Sequence, residues 1–146
     1  MKTFLLRSSL ILLTLLSSLT LHAEDIEYNL VMNARGNEIT SLCIIRTEED
    51  GSIIGTVANE FGVKSFDFTY RRGKAKVLNV IGPLNKWYIR RVLRGDMQLL
   101  LSNYLTRTNA TKKGRTLSFL PDNSIRLENQ RFNITYTLSP ITRQEK

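Results

Sequence analysis

Residues 53–101 read IIGTVANEFGVKSFDFTYRRGKAKVLNVIGPLNKWYIRRVLRGDMQLLL, and this stretch decides the fold. Apolar and polar residues alternate strictly along Ser65–Tyr70. Phe66, Phe68 and Tyr70 point one way, and Ser65, Asp67 and Thr69 the other. Three aromatics on one face of one strand require a large apolar surface opposite. A basic turn, Arg71-Arg72-Gly73-Lys74, leads into another strand, Ala75–Ile81. Gly82-Pro83 then ends the strand pattern.

The period changes after that break. Ile89, Val92, Leu93, Met97, Leu100 and Tyr104 recur at spacings of three and four, which predicts one amphipathic helix with Asn85 as its N-cap. Gly95 weakens its middle by about 1 kcal/mol relative to Ala. Arg90, Arg91 and Arg94 cluster on its outer side. They read as a solvated helix face, or as candidate contacts for an anionic headgroup.

Upstream, Glu27–Met32, Glu38–Thr47 and Ser52–Ala58 read as strands, joined by turns at Ala34–Asn37 and Glu48–Gly51. Gly55 inside a strand marks a bulge or the close approach of another group. Phe61, beside Gly62, belongs either to the core or to an exposed rim. Consecutive strands with short turns imply an antiparallel meander. Downstream, Thr106–Lys113 reads as a mobile polar segment. Three short strands follow, Arg115–Leu120, Ser124–Glu128 and Phe132–Leu138, and the tail from Ser139 reads as frayed. The expected fold is α+β and mainly β: a curved antiparallel sheet of about seven or eight strands, with one long helix across its concave face.

The first residues carry an export signature. Lys2 and Arg7 precede an apolar run over Leu10–Leu16, and Ala23 precedes Glu24 and Asp25. This is the pattern of a secretory signal peptide cleaved after Ala23, although Leu21 occupies a position where a small residue is preferred. Residues 24–146 then form one domain in the periplasm. Removing Lys2 and Arg7 lowers the formal charge of +8 by two and leaves the chain basic. A basic exported chain suits either an anionic membrane surface or simply a solvated surface that keeps it soluble, and not nucleic acid.

Composition excludes several chemistries. The one histidine, His22, lies in the leader, so the exported domain lacks Ser-His-Asp, Cys-His and His-based zinc sites. Cys43 is the one cysteine, which leaves no intramolecular disulfide, and its apolar neighbours mark it as buried. The acids are scattered. Glu48, Glu49 and Asp50 lack the alternate spacing of a calcium loop, and Glu60 with Asp67 is a carboxylate pair that adjacent strands could bring together, a weak signal without supporting residues. No nucleophile–base pair emerges. The expectation is a protein that is not an enzyme and uses no metal and no cofactor. Asn109-Ala-Thr111 and Asn133-Ile-Thr135 match the glycosylation sequon, which matters only in a eukaryotic secretory pathway.

The segment from Gly55 to Leu101, with its Phe61-Gly62 turn, its Phe66-Asp67-Phe68 strand and its leucine-rich helix end at Asp96–Leu101, resembles the outer-membrane lipoprotein-localisation (LolA/LolB-like) family. The resemblance covers about a third of the chain. It implies an unclosed β-barrel, a helical lid and an apolar cavity that receives acyl chains. Unlike LolB, the chain has no lipidated N-terminal cysteine. The expected function is a non-catalytic lipid or lipoprotein carrier of the bacterial envelope, monomeric, with an acyl chain as partner. Its interior would be lined by Phe66, Phe68 and Tyr70 from the strand and by Ile89, Val92, Leu93, Met97 and Leu100 from the helix. The alternative is a periplasmic scaffold protein with a filled core.

Overall fold

Eleven residues of alternating character open the domain as β1 (Glu24–Ala34), and a tight turn returns the chain as β2 (Asn37–Thr47). The meander continues through β3 (Ile53–Ala58), β4 (Lys64–Arg71) and β5 (Lys74–Leu78). The computed structural model describes residues 24–142, so the leader reading of residues 1–23 lies outside the described residues. A 3-10 turn at Gly82–Leu84 precedes the helix α1 (Trp87–Tyr104). Four strands follow: β6 (Ala110–Lys112), β7 (Arg115–Phe119), β8 (Ile125–Asn129) and β9 (Ile134–Pro140).

All nine strands form one antiparallel sheet in the order β5-β4-β3-β2-β1-β9-β8-β7-β6. The first meander runs outward from β1 to β5. The helix then carries the chain over the concave face, and the second meander returns from β6 to β9. There β9 pairs with β1, from Tyr28 opposite Pro140 to Ala34 opposite Ile134. The edges β5 and β6 do not meet, so the sheet is an open, curled half-barrel with one helix across it.

Alternation sets the core. One cross-strand row on the concave face runs Ile45, Gly55, Phe68 and Val77, and the next runs Tyr28, Cys43, Val57 and Phe66. Gly55 explains how Phe68 fits. A Cβ there would stand 2.0 Å from Phe68 Cζ, so the ring lies flat over the backbone of its partner strand. Close approach is therefore the role of this glycine. The bulge lies elsewhere, between Val57 and Ala58.

Several expectations change. The sheet has nine strands because residues 110–112, expected to be mobile, pair with β7 as its edge. A three-residue strand is too short for alternation to reveal. The fifth strand stops at Leu78, because Asn79 takes a left-handed φ of 51°. Lys86, and not Asn85, is the helix N-cap, and it makes no side-chain cap bond; Asn85 ends the 3-10 turn. Ser139 and Pro140 stay in β9, and the amide of Ile141 donates to the Glu27 carbonyl. Phe61 is 83 % exposed on its turn.

Candidate functional site

The space between α1 and the concave sheet is the candidate site. Phe66, Phe68, Leu93, Met97 and Leu100 meet there and are all buried. The Phe66 and Phe68 ring centroids lie 6.3 Å apart, tilted by 49°. Tyr70 is half-buried and packs at the margin of the core, as does Ile89. Val92 is half-buried and stands outside the core cluster. Leu99 and Leu101, absent from the expected stripe, are buried as well, so the inner face of the helix is wider than its spacing suggested. Arg90, Arg91 and Arg94 are exposed on the outer side, where Arg90 Nη1 donates to Asn85 Oδ1 at 2.5 Å.

Packing fills this interior. The cavity among Phe66, Phe68, Met97, Leu100, Tyr136 and Leu138 measures about 10 Å³ and is lined by apolar surface. That is about the space of one water, and an apolar void of that size stays dry. No acyl chain fits a space of that size.

The helix is held by polar contacts that the sequence reading missed. Asp96 points inward and is fully buried. Its Oδ1 accepts from Arg115 Nε at 2.7 Å and from Asn129 Nδ2 at 2.8 Å, and its Oδ2 accepts from Tyr136 Oη at 2.5 Å. The donors come from β7, β8 and β9, so three strands converge on one helix residue. Burial, together with the Asp96 charge, raises the Tyr136 hydroxyl well above its ordinary pKa, which keeps it a donor. Gly95 makes room for this arrangement: a Cβ there would meet Arg115 Nη2 at 2.4 Å.

Gln98 fastens the other side. Its Oε1 accepts from the Ala75 amide at 2.8 Å and its Nε2 donates to the Gly73 carbonyl at 3.0 Å. The helix thus bridges the opening of the half-barrel, tied to β7–β9 by Asp96 and to the β4–β5 hairpin by Gln98. Near its end the Tyr104 and Tyr28 hydroxyls share a buried hydrogen bond of 2.7 Å, and burial followed by that contact raises the Tyr104 pKa. Arg107 lies over the Tyr104 ring at 5.1 Å from its centroid.

Asp96 had a sequence signal. It falls three residues after Leu93 and four before Leu100, inside the apolar stripe, where an acid must find buried donors. Arg115, Asn129 and Tyr136 carried no comparable signal, because only the strand register brings them together.

The expected Glu60–Asp67 approach is not formed. Glu60 is exposed on a turn, while Asp67 Oδ1 accepts from Thr56 Oγ1 at 2.7 Å and its Oδ2 from Asn79 Nδ2 at 2.8 Å. Asp67 faces away from the core, so its partners are polar neighbours on the convex side. Cys43 is buried, and burial pushes its thiol up to about 12. Among the described residues, no group of three or more His, Cys, Asp or Glu side chains is placed to hold a metal ion. No helix of the described residues is long and apolar enough to cross a membrane. The chain matches no protein-family model and no curated protein.

Proposed function

We propose that this protein is a non-catalytic carrier of apolar chains in the bacterial envelope, exported to the periplasm, and that α1 is the lid of its half-barrel. The observation that supports the reading is a largely apolar concave face covered by one helix, which is tied down by a buried polar hub. A filled core held only by hydrophobic contact has no need of Asp96. Apolar replacements of buried ionic clusters are often neutral or stabilising. Discrete polar latches are suited to an element with two positions. When the helix lifts, an acyl chain takes over the apolar contacts that Leu93, Met97 and Leu100 give up, at about 25 cal/mol per Å² kept from water. The resemblance to lipoprotein-localisation proteins points the same way.

The closed interior favours a second reading, a scaffold protein whose helix never leaves. Mass spectrometry of lipids extracted from protein purified out of its native envelope separates the two. A carrier brings a stoichiometric acyl lipid with it. Protein free of lipid in that preparation supports the scaffold reading.

A further inference from the structure

The β4–β5 hairpin and the loop between β2 and β3 border a second, very different space that is open to solvent. It is a surface cleft of about 730 Å³ walled by Arg71, Arg72, Lys74 and Lys76 on one side and by Asp50–Ser52 on the other. That size is within the range of small-ligand sites. All four cations are exposed.

The strand register makes the charge arrangement costly. Arg71 stands directly opposite Lys74, and Lys76 lies two residues further along the same face of β5. Like charges directly opposite each other destabilise a cross-strand pair. Among the described residues the relief is partial: the Arg71 charge helps to lower the Asp50 carboxyl, but none of the four cations forms an ion pair within 4.0 Å, whereas Arg46, Lys64, Arg115 and Arg126 each have a carboxylate partner. Asp50 lines the cleft but is already engaged. Its Oδ1 accepts from the Ser52 hydroxyl at 2.6 Å and the Ser52 amide at 2.9 Å, and these bonds hold its carboxyl below the usual range. The hairpin is also fixed in place. Arg72 and Gly73 take the paired left-handed φ values, 51° and 78°, of a tight hairpin turn, and Gln98 clamps the backbone beside them.

We propose that this cleft binds a phosphate group, carried by an anionic lipid headgroup or free in solution. A dianionic or diester phosphate between Arg71, Lys74 and Lys76 relieves their mutual repulsion, and a guanidinium fork matches two phosphate oxygens at once. Arg71 and Arg72 supply that fork, and the lysines supply point charges. The site differs from the outer helix arginines in being concave and held from two sides. It stands independently of the carrier reading: a scaffold protein with a filled core would keep it.

The test compares two triple variants of equal charge loss, Arg71→Gln/Lys74→Gln/Lys76→Gln and Arg90→Gln/Arg91→Gln/Arg94→Gln. All six side chains are exposed, and thermal melts verify that both variants fold. Cosedimentation is measured with vesicles of phosphatidylcholine, with and without phosphatidylglycerol, and amide shifts are followed by NMR with inorganic phosphate. The expected result is binding to the phosphatidylglycerol vesicles that falls on the order of a hundredfold in the cleft variant, since three basic contacts are removed. The helix variant should retain most of it. Amide shifts confined to residues 50–52 and 69–76 on adding phosphate, without vesicle binding, support the site with a soluble ligand. Equal losses in both variants would mean that net charge alone acts, and would overturn the proposal. So would a wild-type protein indifferent to both probes.

Discussion

Replacing Asp96 tests whether the helix is held by its polar hub. Asp96→Leu removes the acceptor shared by Arg115, Asn129 and Tyr136. Arg115 is 17 % exposed at its side chain and can turn towards water. Asn129 and Tyr136, each 1 % exposed, cannot. Each stranded buried donor costs about 1–3 kcal/mol, and the added leucine surface returns part of that. The net loss should be about 3–5 kcal/mol, the range for breaking a buried charged cluster by removing one partner. Asp96→Asn keeps the shape and one acceptor oxygen, and the Tyr136 hydroxyl can turn to accept from the new amide. Its loss should be smaller, about 1–3 kcal/mol, mostly from the weakened bond to Arg115. Urea denaturation followed by circular dichroism gives both values. An Asp96→Leu variant as stable as the wild type would refute the reasoning, because the hub would then contribute nothing to closure.

Three further outcomes follow from close approaches and burial. Gly55→Ala should cost about 1–3 kcal/mol by driving a methyl group into the Phe68 ring, and Phe68→Leu in the same chain should recover part of the loss; thermal unfolding of the single and double variants checks this. Gly95→Ala should destabilise the protein despite the gain of about 1 kcal/mol in helix propensity, because it displaces the Arg115 guanidinium; in an Arg115→Ala background the same change should stabilise, which a double-mutant cycle in urea would measure. Cys43, with its thiol raised to about 12, should resist a thiol-specific chromogenic reagent at pH 8 in the native protein and react at once in denaturant, and fast native-state labelling would contradict its placement in the core.

The fold was legible where local pattern and tertiary burial agree. Phe66 and Phe68 alternate with polar residues because one face of β4 is core, and Leu93, Met97 and Leu100 recur because one face of α1 is. The meander β1–β5 was readable from its turns. The pairing of β9 with β1 was not, since nothing local states which distant strands meet. The short edge strand β6 has one half-buried apolar residue, Ala110, and no period to detect. For the candidate site, the apolar lining was legible and the latch was not. Asp96 entered as the start of the leucine-rich helix end, although its place between Leu93 and Leu100 put it on the inner face. Its partners are scattered over β7, β8 and β9 and become one cluster only through the register that sets Arg115 opposite Asn129. The basic turn at Arg71–Lys74 was recognised as a turn. Its like-charge pairing depended on the hairpin register, and its cleft on the neighbouring loop.

The measurement that tests the carrier reading most directly is binding of a fluorescent fatty acid to the wild type and to Asp96→Asn. A lid that must open for entry lowers apparent affinity by the fraction of open protein, so loosening the hub should tighten binding. The account predicts saturable binding at one site in the wild type and a Kd several-fold lower in Asp96→Asn, by roughly the factor that the lost stability of the closed state allows. Absence of binding by both proteins, with the variant still folded, would contradict it and leave a half-barrel with a permanently filled core.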